Sequence, residues 1–169
     1  MQTEVNEARG LNFAKAARHL LRQDPQVLVI GEIRDDETAN LAVRAALTGH
    51  QVITTLHAGS SKGVFERLLV MCPDHYAVIS SVALVLNQRL MRRVCRACAG
   101  AGCPQCLDTG YQGRSPVVEW FRPDERVRQD LRARGPEAIR AAQRLEDAAR
   151  ALVQSGLSND AEWQRLFGA

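Results

Sequence analysis

Lysine is almost missing from this 169-residue chain: of 22 basic residues, only Lys15 and Lys62 are lysines. The 19 acidic residues are interspersed with the arginines and the net charge is only +3. Charge is therefore not concentrated as nucleic-acid and membrane binders concentrate it, and no direct nucleic-acid contact is expected. The arginine bias is attributed to genomic base composition. Long apolar runs are also missing. The longest, Tyr76–Leu86, is 11 residues interrupted by Ser80 and Ser81, whereas a bilayer span needs roughly 20. Met1 is followed by polar residues, not by the basic and then apolar stretch of a targeting segment. These absences point to a soluble cytoplasmic protein, a setting in which disulfides are disfavoured and paired cysteines suggest a metal. What is present is a normal core-forming share of hydrophobic residues, 46%, in a length that suits one ordinary domain.

The segment Met1–Gly10 is polar and starts abruptly. Apolar residues at 13, 16, 17, 20 and 21 then follow a helical period between Leu11 and Gln23, and Asp24-Pro25 stops that helix. Val27–Ile30 is a short continuous apolar run, the pattern of a strand buried on both faces. Asp36–Leu47 is helical, with Ala39, Ala42, Val43, Ala46 and Leu47 on one face and Gly49 as its C-terminal stop. Gln51–Leu56 is a second β-branched run, and His57–Ser61 a small-residue loop. Helices are expected at about 62–71 and 75–89. Strand, helix, strand defines an α/β unit with a parallel sheet. The character changes near Arg93. Residues 95–113 are rich in Gly and Cys, 115–122 reads as a strand, and 123–168 reads as helices broken at Gly135-Pro136 and Gly156. The chain divides on this basis into 1–93, 94–122 and 123–169.

The first strand continues into Gly31-Glu32. An apolar strand ending in a carboxylate is the Walker B pattern of P-loop nucleotide hydrolases, where the acid holds the Mg²⁺ water shell or orients the attacking water. On strand chemistry alone, an ordinary surface acid is the favoured reading. The second strand adds weight. It ends in Thr54-Thr55-Leu56-His57, so parallel strands would bring Glu32 and His57 to the C-terminal edge where ligands of open α/β sheets bind. His50 lies seven residues earlier, roughly 23 Å away at about 3.3 Å per residue. The two histidines therefore cannot serve one phosphate within one subunit. His57 is the better candidate for a γ-phosphate, while His50 is structural or reaches a neighbouring subunit. Either could equally be a histidine satisfied beside a helix end.

Taken in order, Leu-Arg-Gln-Asp-Pro (21–25), Gly-Glu-Ile-Arg-Asp (31–35), Glu-Thr-Ala (37–39), Thr-Gly-His (48–50) and Thr-Leu-His (55–57) resemble the secretion ATPase superfamily. Asn87-Gln88-Arg89-Leu90 and Gly110–Arg114 continue the match, which covers about residues 5–122. The resemblance is to the C-terminal portion of the hexameric motors of type II secretion and type IV pilus assembly. It implies a partial RecA-like P-loop NTPase sheet with Glu32 as the Walker B acid and His50 and His57 in the family's His box. In an intact subunit it further implies that Arg34 transmits the presence of the γ-phosphate and that Arg18 and Arg22 face ATP across a subunit boundary. Gln26 stands where an acid is common, and Ala58-Gly59 where Thr-Asn is frequent. The serious departure is that no G-x-x-x-x-G-K-[S/T] segment occurs, so the amide cradle and its lysine are missing. The isolated chain is expected neither to bind ATP tightly nor to hydrolyse it. A sheet without its first strands is expected to have an exposed edge.

Cys95, Cys98, Cys103 and Cys106 form C-x2-C-x4-C-x2-C. Two such knuckles can offer four thiolates to one tetrahedral ion, with Gly100 and Gly102 allowing the short connector to turn. Redox pairs or unliganded thiols do not account for four cysteines so close together in a cytoplasmic protein, so structural Zn²⁺ is expected. Cys95–Gly102 also fits the repeat of a chaperone zinc domain, but no further complete copy follows. Family members of the secretion type carry a four-cysteine element here, many with a longer insert between the pairs. Cys72 reads as a buried, unliganded thiol.

The C-terminal arginines, from Arg126 to Arg150, read as a solvated surface, with Leu131, Ile139, Leu145, Leu152, Leu157, Trp163, Leu166 and Phe167 on the buried side. The expected architecture is α/β with a four-cysteine zinc element and a helical C-terminal region. The resemblance implies a homo-hexamer using ATP and Mg²⁺, working cytoplasmically against inner-membrane platform proteins with peripheral membrane contact only. The competing expectation is a non-catalytic, zinc-stabilised interaction module from a truncated or degenerate gene.

Overall fold

A computed structural model describes residues 2–6, 8 and 10–168. Met1, on which the reading of an abrupt start partly falls, lies outside the described residues, as do Glu7, Arg9 and Ala169. The chain forms two compact units. One runs to Val85 and resumes over Arg122–Ile139; the other takes Leu86–Phe121 and the chain from Arg140 onward. The helices after residue 122 are thus shared between the two units.

In the first unit, capping residues start the helices where the sequence places them. Helix α1 (Phe13–Leu21) opens on Asn12, whose side chain accepts the Lys15 N–H at 2.9 Å. Strand β1 (Val27–Ile30) leads to α2 (Asp36–Leu47), which opens on Asp35, acceptor of the Thr38 N–H at 2.8 Å. Asp36 and Glu37 in its first turn complement the positive end of the helix dipole. Strand β2 (Gln51–Thr54) returns parallel to β1, pairing Val27 with Gln51 through to Ile30 with Thr54. Ser60, Asp74 and Asp124 cap α3 (Ser61–Met71), α4 (His75–Ser81) and α5 (Glu125–Arg134) in the same way. Leu28, Ile30, Ala39, Ala42, Val43, Leu68 and Val78 share one buried cluster. The two large β1 side chains in it contribute roughly 1.5–3 kcal/mol each by leaving water.

Two expectations for this part are corrected. Strand β1 is not buried on both faces: Leu28 and Ile30 are buried, but Val27 and Val29 are 47% and 67% exposed. The helices of this unit pack against one face, and the alternation of strand side chains turns Val27 and Val29 to the other. The helix expected over 75–89 stops at Ser81, and Val85–Val94 is strand β3. Val82–Leu86 is a continuous apolar run that suits either state. Pairing with β4 (Tyr111–Phe121) decides for the strand. That partner also begins earlier than the expected 115. The first sheet has two strands among the described residues, so each has an open edge.

The second unit packs α6 (Leu145–Gln154) and α7 (Asp160–Phe167) with β4 and most of β3. Its core is Met91, Val117, Leu145 and Ala149, with Leu152, Trp163, Leu166 and Phe167 partly buried against it. These apolar positions agree with the helical pattern. One member of this unit is not apolar. Glu162 is fully buried at 0% exposure. Its carboxylate accepts the Arg92 backbone N–H at 2.9 Å, Arg92 Nε at 2.7 Å, and Arg165 Nε and Nη2 at 2.7 Å each. Asn159 caps α7 by accepting the Glu162 N–H at 3.0 Å and also accepts the Tyr111 hydroxyl at 2.9 Å. Burial pushes the Glu162 carboxyl up, but the hydrogen bonds from Arg165 and Arg92 dominate and hold it at about 2, against an ordinary 4.5. Because the folded-state value is the lower one, this stabilisation is present above pH 4.5 and is lost as pH falls toward 2. Glu162→Gln is expected to cost about 3 kcal/mol at neutral pH, since it leaves two arginines facing a neutral group. The cost should vanish below about pH 2, as measured by chemical denaturation across that range.

Candidate functional site

The parallel ladder does not end at Ile30 and Thr54. The Ile33 N–H donates to the Thr55 carbonyl at 3.0 Å, and Thr55 Oγ1 donates to the Gly31 carbonyl at 2.7 Å. These two bonds hold Gly31-Glu32 beside Thr55–His57 at the C-terminal edge of the strands. Arg67, from α3, donates to the His57 carbonyl at 3.1 Å and fixes the chain beyond the imidazole. As a result, His57 Nε2 lies 3.3 Å from Glu32 Oε2, while the Arg34 guanidinium hydrogen-bonds Glu32 Oε1. Glu32 is 19% exposed at its side chain; Arg34 and His57 are 64% and 86% exposed. The Arg34 hydrogen bond is the main reason that the Glu32 carboxyl titrates below its ordinary range. Partial desolvation opposes it, and the charge of Arg34 and the nearby His57 reinforce it. An ionised carboxylate flanked by a guanidinium and an open imidazole can orient a water or a hydrated cation on the solvent side.

The other candidates sit elsewhere in this unit. His50 is at the opposite end of β2, as the strand count requires. Its Nδ1–H donates to the Ala45 carbonyl at 3.1 Å, which leaves Nε2 as the acceptor. Arg18 of α1 pairs with Glu37 of α2, and both line a groove of about 430 Å³ along α2 that also includes Arg44 and His50. Arg22 caps α1 and is exposed. So Glu32, Arg34 and His57 come together, Arg18 shares a groove with His50, and Arg22 joins neither group. Thr55 and Arg67 are absent from the sequence-derived set. Thr55 lies inside the Thr-Leu-His string, but nothing in the sequence signals that Arg67, ten residues beyond His57, would reach back.

In the second unit the four cysteines converge, their Sγ atoms all within 4.8 Å of one another. Cys95–Cys103, Cys98–Cys106 and Cys103–Cys106 are separated by 3.9, 3.8 and 3.8 Å between sulfurs. An ion bound tetrahedrally at about 2.3 Å would set its ligand sulfurs roughly 3.8 Å apart, so this set fits one tetrahedral ion. The Gly102 and Cys103 amides donate to the Cys98 and Cys106 sulfurs, both at 3.3 Å, the contacts that stabilise thiolates. Burial pushes the Cys106 thiol up, but donation from the Cys103 and Gly110 amides outweighs it and brings the value to about 7. Gly102 turns the connector with φ +97°. Gly110, named from sequence only as the start of the Gly110–Arg114 match, lets two backbones touch: a Cβ there would stand 2.4 Å from the Gly100 carbonyl oxygen. Cys72, in the first unit, is buried at 1% exposure, and burial raises its thiol pKa.

A parallel α/β unit with an acid and an imidazole at one strand edge, followed by a four-thiol cluster, defines a narrow class. The model of the type II/IV secretion system protein family matches residues 1–165, and the chain belongs to that family. It is 42% identical to the type II secretion system protein HxcR of Pseudomonas aeruginosa, over 95% of this chain and 35% of that protein. It is 36% identical to the putative type II secretion system protein E of Escherichia coli, over 98% of this chain and 39% of that one. The Thermus thermophilus type IV pilus assembly ATPase PilB is 35% identical over 99% of this chain and 21% of that protein. The chain thus spans little more than a third of the length of the first two relatives. Among solved structures, the Legionella pneumophila ATPase DotB superposes with TM-score 0.76 at 24% identity, covering 99% of this chain and 46% of that one. The pilus retraction motor PilT with bound ADP gives 0.69 at 24% identity, covering 91% and 43%. These likenesses establish the α/β fold.

Arg34→Ala is expected to raise the titration midpoint of the Glu32 carboxyl toward its ordinary value, read by carboxyl ¹³C NMR with pH. An unchanged midpoint would show that Arg34 does not set the charge of this site.

Proposed function

We propose that this chain is the C-terminal part of a hexameric motor ATPase that drives type II secretion or type IV pilus assembly. The supporting observation is the 3.3 Å approach of His57 to Glu32 at the shared strand edge, in a chain of this family. In the intact enzyme Glu32 supports Mg²⁺ and orients the attacking water. His57 senses the γ-phosphate, and Arg34 relays its presence through the carboxylate it already touches. His50, Arg18 and Arg22 act at or across a subunit boundary; the groove shared by His50 and Arg18 is consistent with that. The motor works as a homo-hexamer in the cytoplasm, peripheral to the inner membrane, against its platform proteins. No helix among the described residues is long and apolar enough to cross a membrane. Residues 1–93 supply the ATPase core, 94–122 the zinc element with its strand, and 123–169 the helical region.

Phosphate handling also requires the amide cradle and lysine of a G-x-x-x-x-G-K-[S/T] loop, which this sequence lacks. The chain alone is therefore inactive. It should show no Mg-ATP turnover above buffer. Substituting it for the matching segment of HxcR should yield an active chimera, and Glu32→Gln in that chimera should reduce turnover about 100-fold or more. A folded, hexameric chimera that hydrolyses ATP equally well with Glu32→Gln would remove the motor role from this site. Such a result would favour the non-catalytic module.

The four thiolates hold Zn²⁺, which supplies a structural cross-link between the two cysteine knuckles. With every position taken by sulfur, no place is left for a reactive water. Purified chain is expected to contain one zinc per molecule by elemental analysis, and Cys98→Ser with Cys106→Ser to contain none. Full cysteine reactivity toward a thiol reagent before chelation would overturn the assignment.

A further inference from the structure

The second unit carries a feature that the motor chemistry leaves unused. Arg89, Arg92, Arg114 and Arg165, with Leu90 and Leu166, line a groove of about 500 Å³. No lining residue is acidic. Glu162 sits beneath and offsets one of the four charges by binding Arg92 and Arg165, so three remain in excess. Three of the four guanidinium groups are held in place. Arg92 lies 4.1 Å from the Tyr111 ring centroid, and Arg89 lies 5.4 Å from that of Phe167 while donating to the Leu166 carbonyl at 2.7 Å. Arg165 is pinned by two bonds to Glu162. Arg114 is exposed at the groove.

Three uncompensated guanidinium charges around one concavity raise the local concentration of anions there. A carboxylate would cancel one of the three excess charges, while a phosphate monoester carries about two and offers oxygens to several guanidinium forks at once. We infer that this groove binds a soluble phosphate-bearing small molecule, with Arg114 as its exposed contact and Arg89, Arg92 and Arg165, each anchored to the protein, as its fixed wall. This does not depend on the Glu32–His57 site, which lies in the other unit.

The test is calorimetric titration of the whole chain with inorganic pyrophosphate. Saturable one-to-one binding is expected. Arg114→Ala should weaken it about tenfold, and Arg114→Lys, which keeps the charge but loses the fork, should weaken it less. Arg126→Ala, which removes an exposed charge from α5 in the other unit, should leave the affinity within about twofold. Three results would overturn the inference: no saturable binding, an equal loss with Arg126→Ala, or Arg114-dependent binding to phosphatidylglycerol vesicles but not to pyrophosphate. The second would show diffuse charge alone, and the third a membrane surface.

Discussion

Parallel pairing of β1 with β2 is the constraint on which the rest of the candidate site depends. A parallel pair cannot close through a tight turn, so α2 must cross between the strands, and its capping by Asp35 fixes where Glu32 and Arg34 leave the sheet. Register matters as much as direction. A slip of one residue would turn every strand side chain to the opposite face, burying Val29 and exposing Leu28. The added bonds at Ile33 and Thr55 carry the register past the last strand residues, so that the carboxylate and imidazole meet on segments that are no longer strand. The chemistry at this rim is therefore a consequence of hydrogen bonds made one or two residues from the reacting side chains.

The second unit is held together differently. Its apolar cluster is small, and two polar devices supplement it: a four-thiol cluster and a buried carboxylate. The carboxylate gathers segments that are 70 residues apart in sequence, whereas the thiols close a short local connection. Glu162 ties α7 to β3 through Arg92, while the cysteines close the connection between β3 and β4. A buried charge is tolerated there because every one of its strong acceptor sites meets a donor. The same carboxylate keeps two arginines extended at the surface, so the interior network determines how the groove above it presents its charge.

Much of this was legible from local signals. The helices over Phe13–Leu21 and Asp36–Leu47 follow the apolar period and the stops at Asp24-Pro25 and Gly49 that the sequence displays. The spacing of Cys95, Cys98, Cys103 and Cys106 announced a cluster because two short knuckles can hardly avoid each other. Glu32 and His57 were recognisable because each ends an apolar run and the strand, helix, strand order brings such ends together. By contrast, Val82–Leu86 carries the same apolar residues whether it continues a helix or opens a strand, and only its partner in the sheet distinguishes them. Exposure of Val27 and Val29 was equally hidden, because a strand's composition does not say how many layers cover it.

By itself, the sequence determined most of the elements of the first unit, the acid and imidazole that end its strands, and the thiol set, because these follow from short-range periodicity and ligand spacing. Tertiary structure alone decided that Arg67 holds the chain at His57, that Gly110 lets two backbones touch, and that Glu162 is fully buried beneath arginines from β3 and α7. Those facts depend on contacts between residues far apart in the chain. No local pattern encodes such a distance, and only packing brings the groups into range of one another.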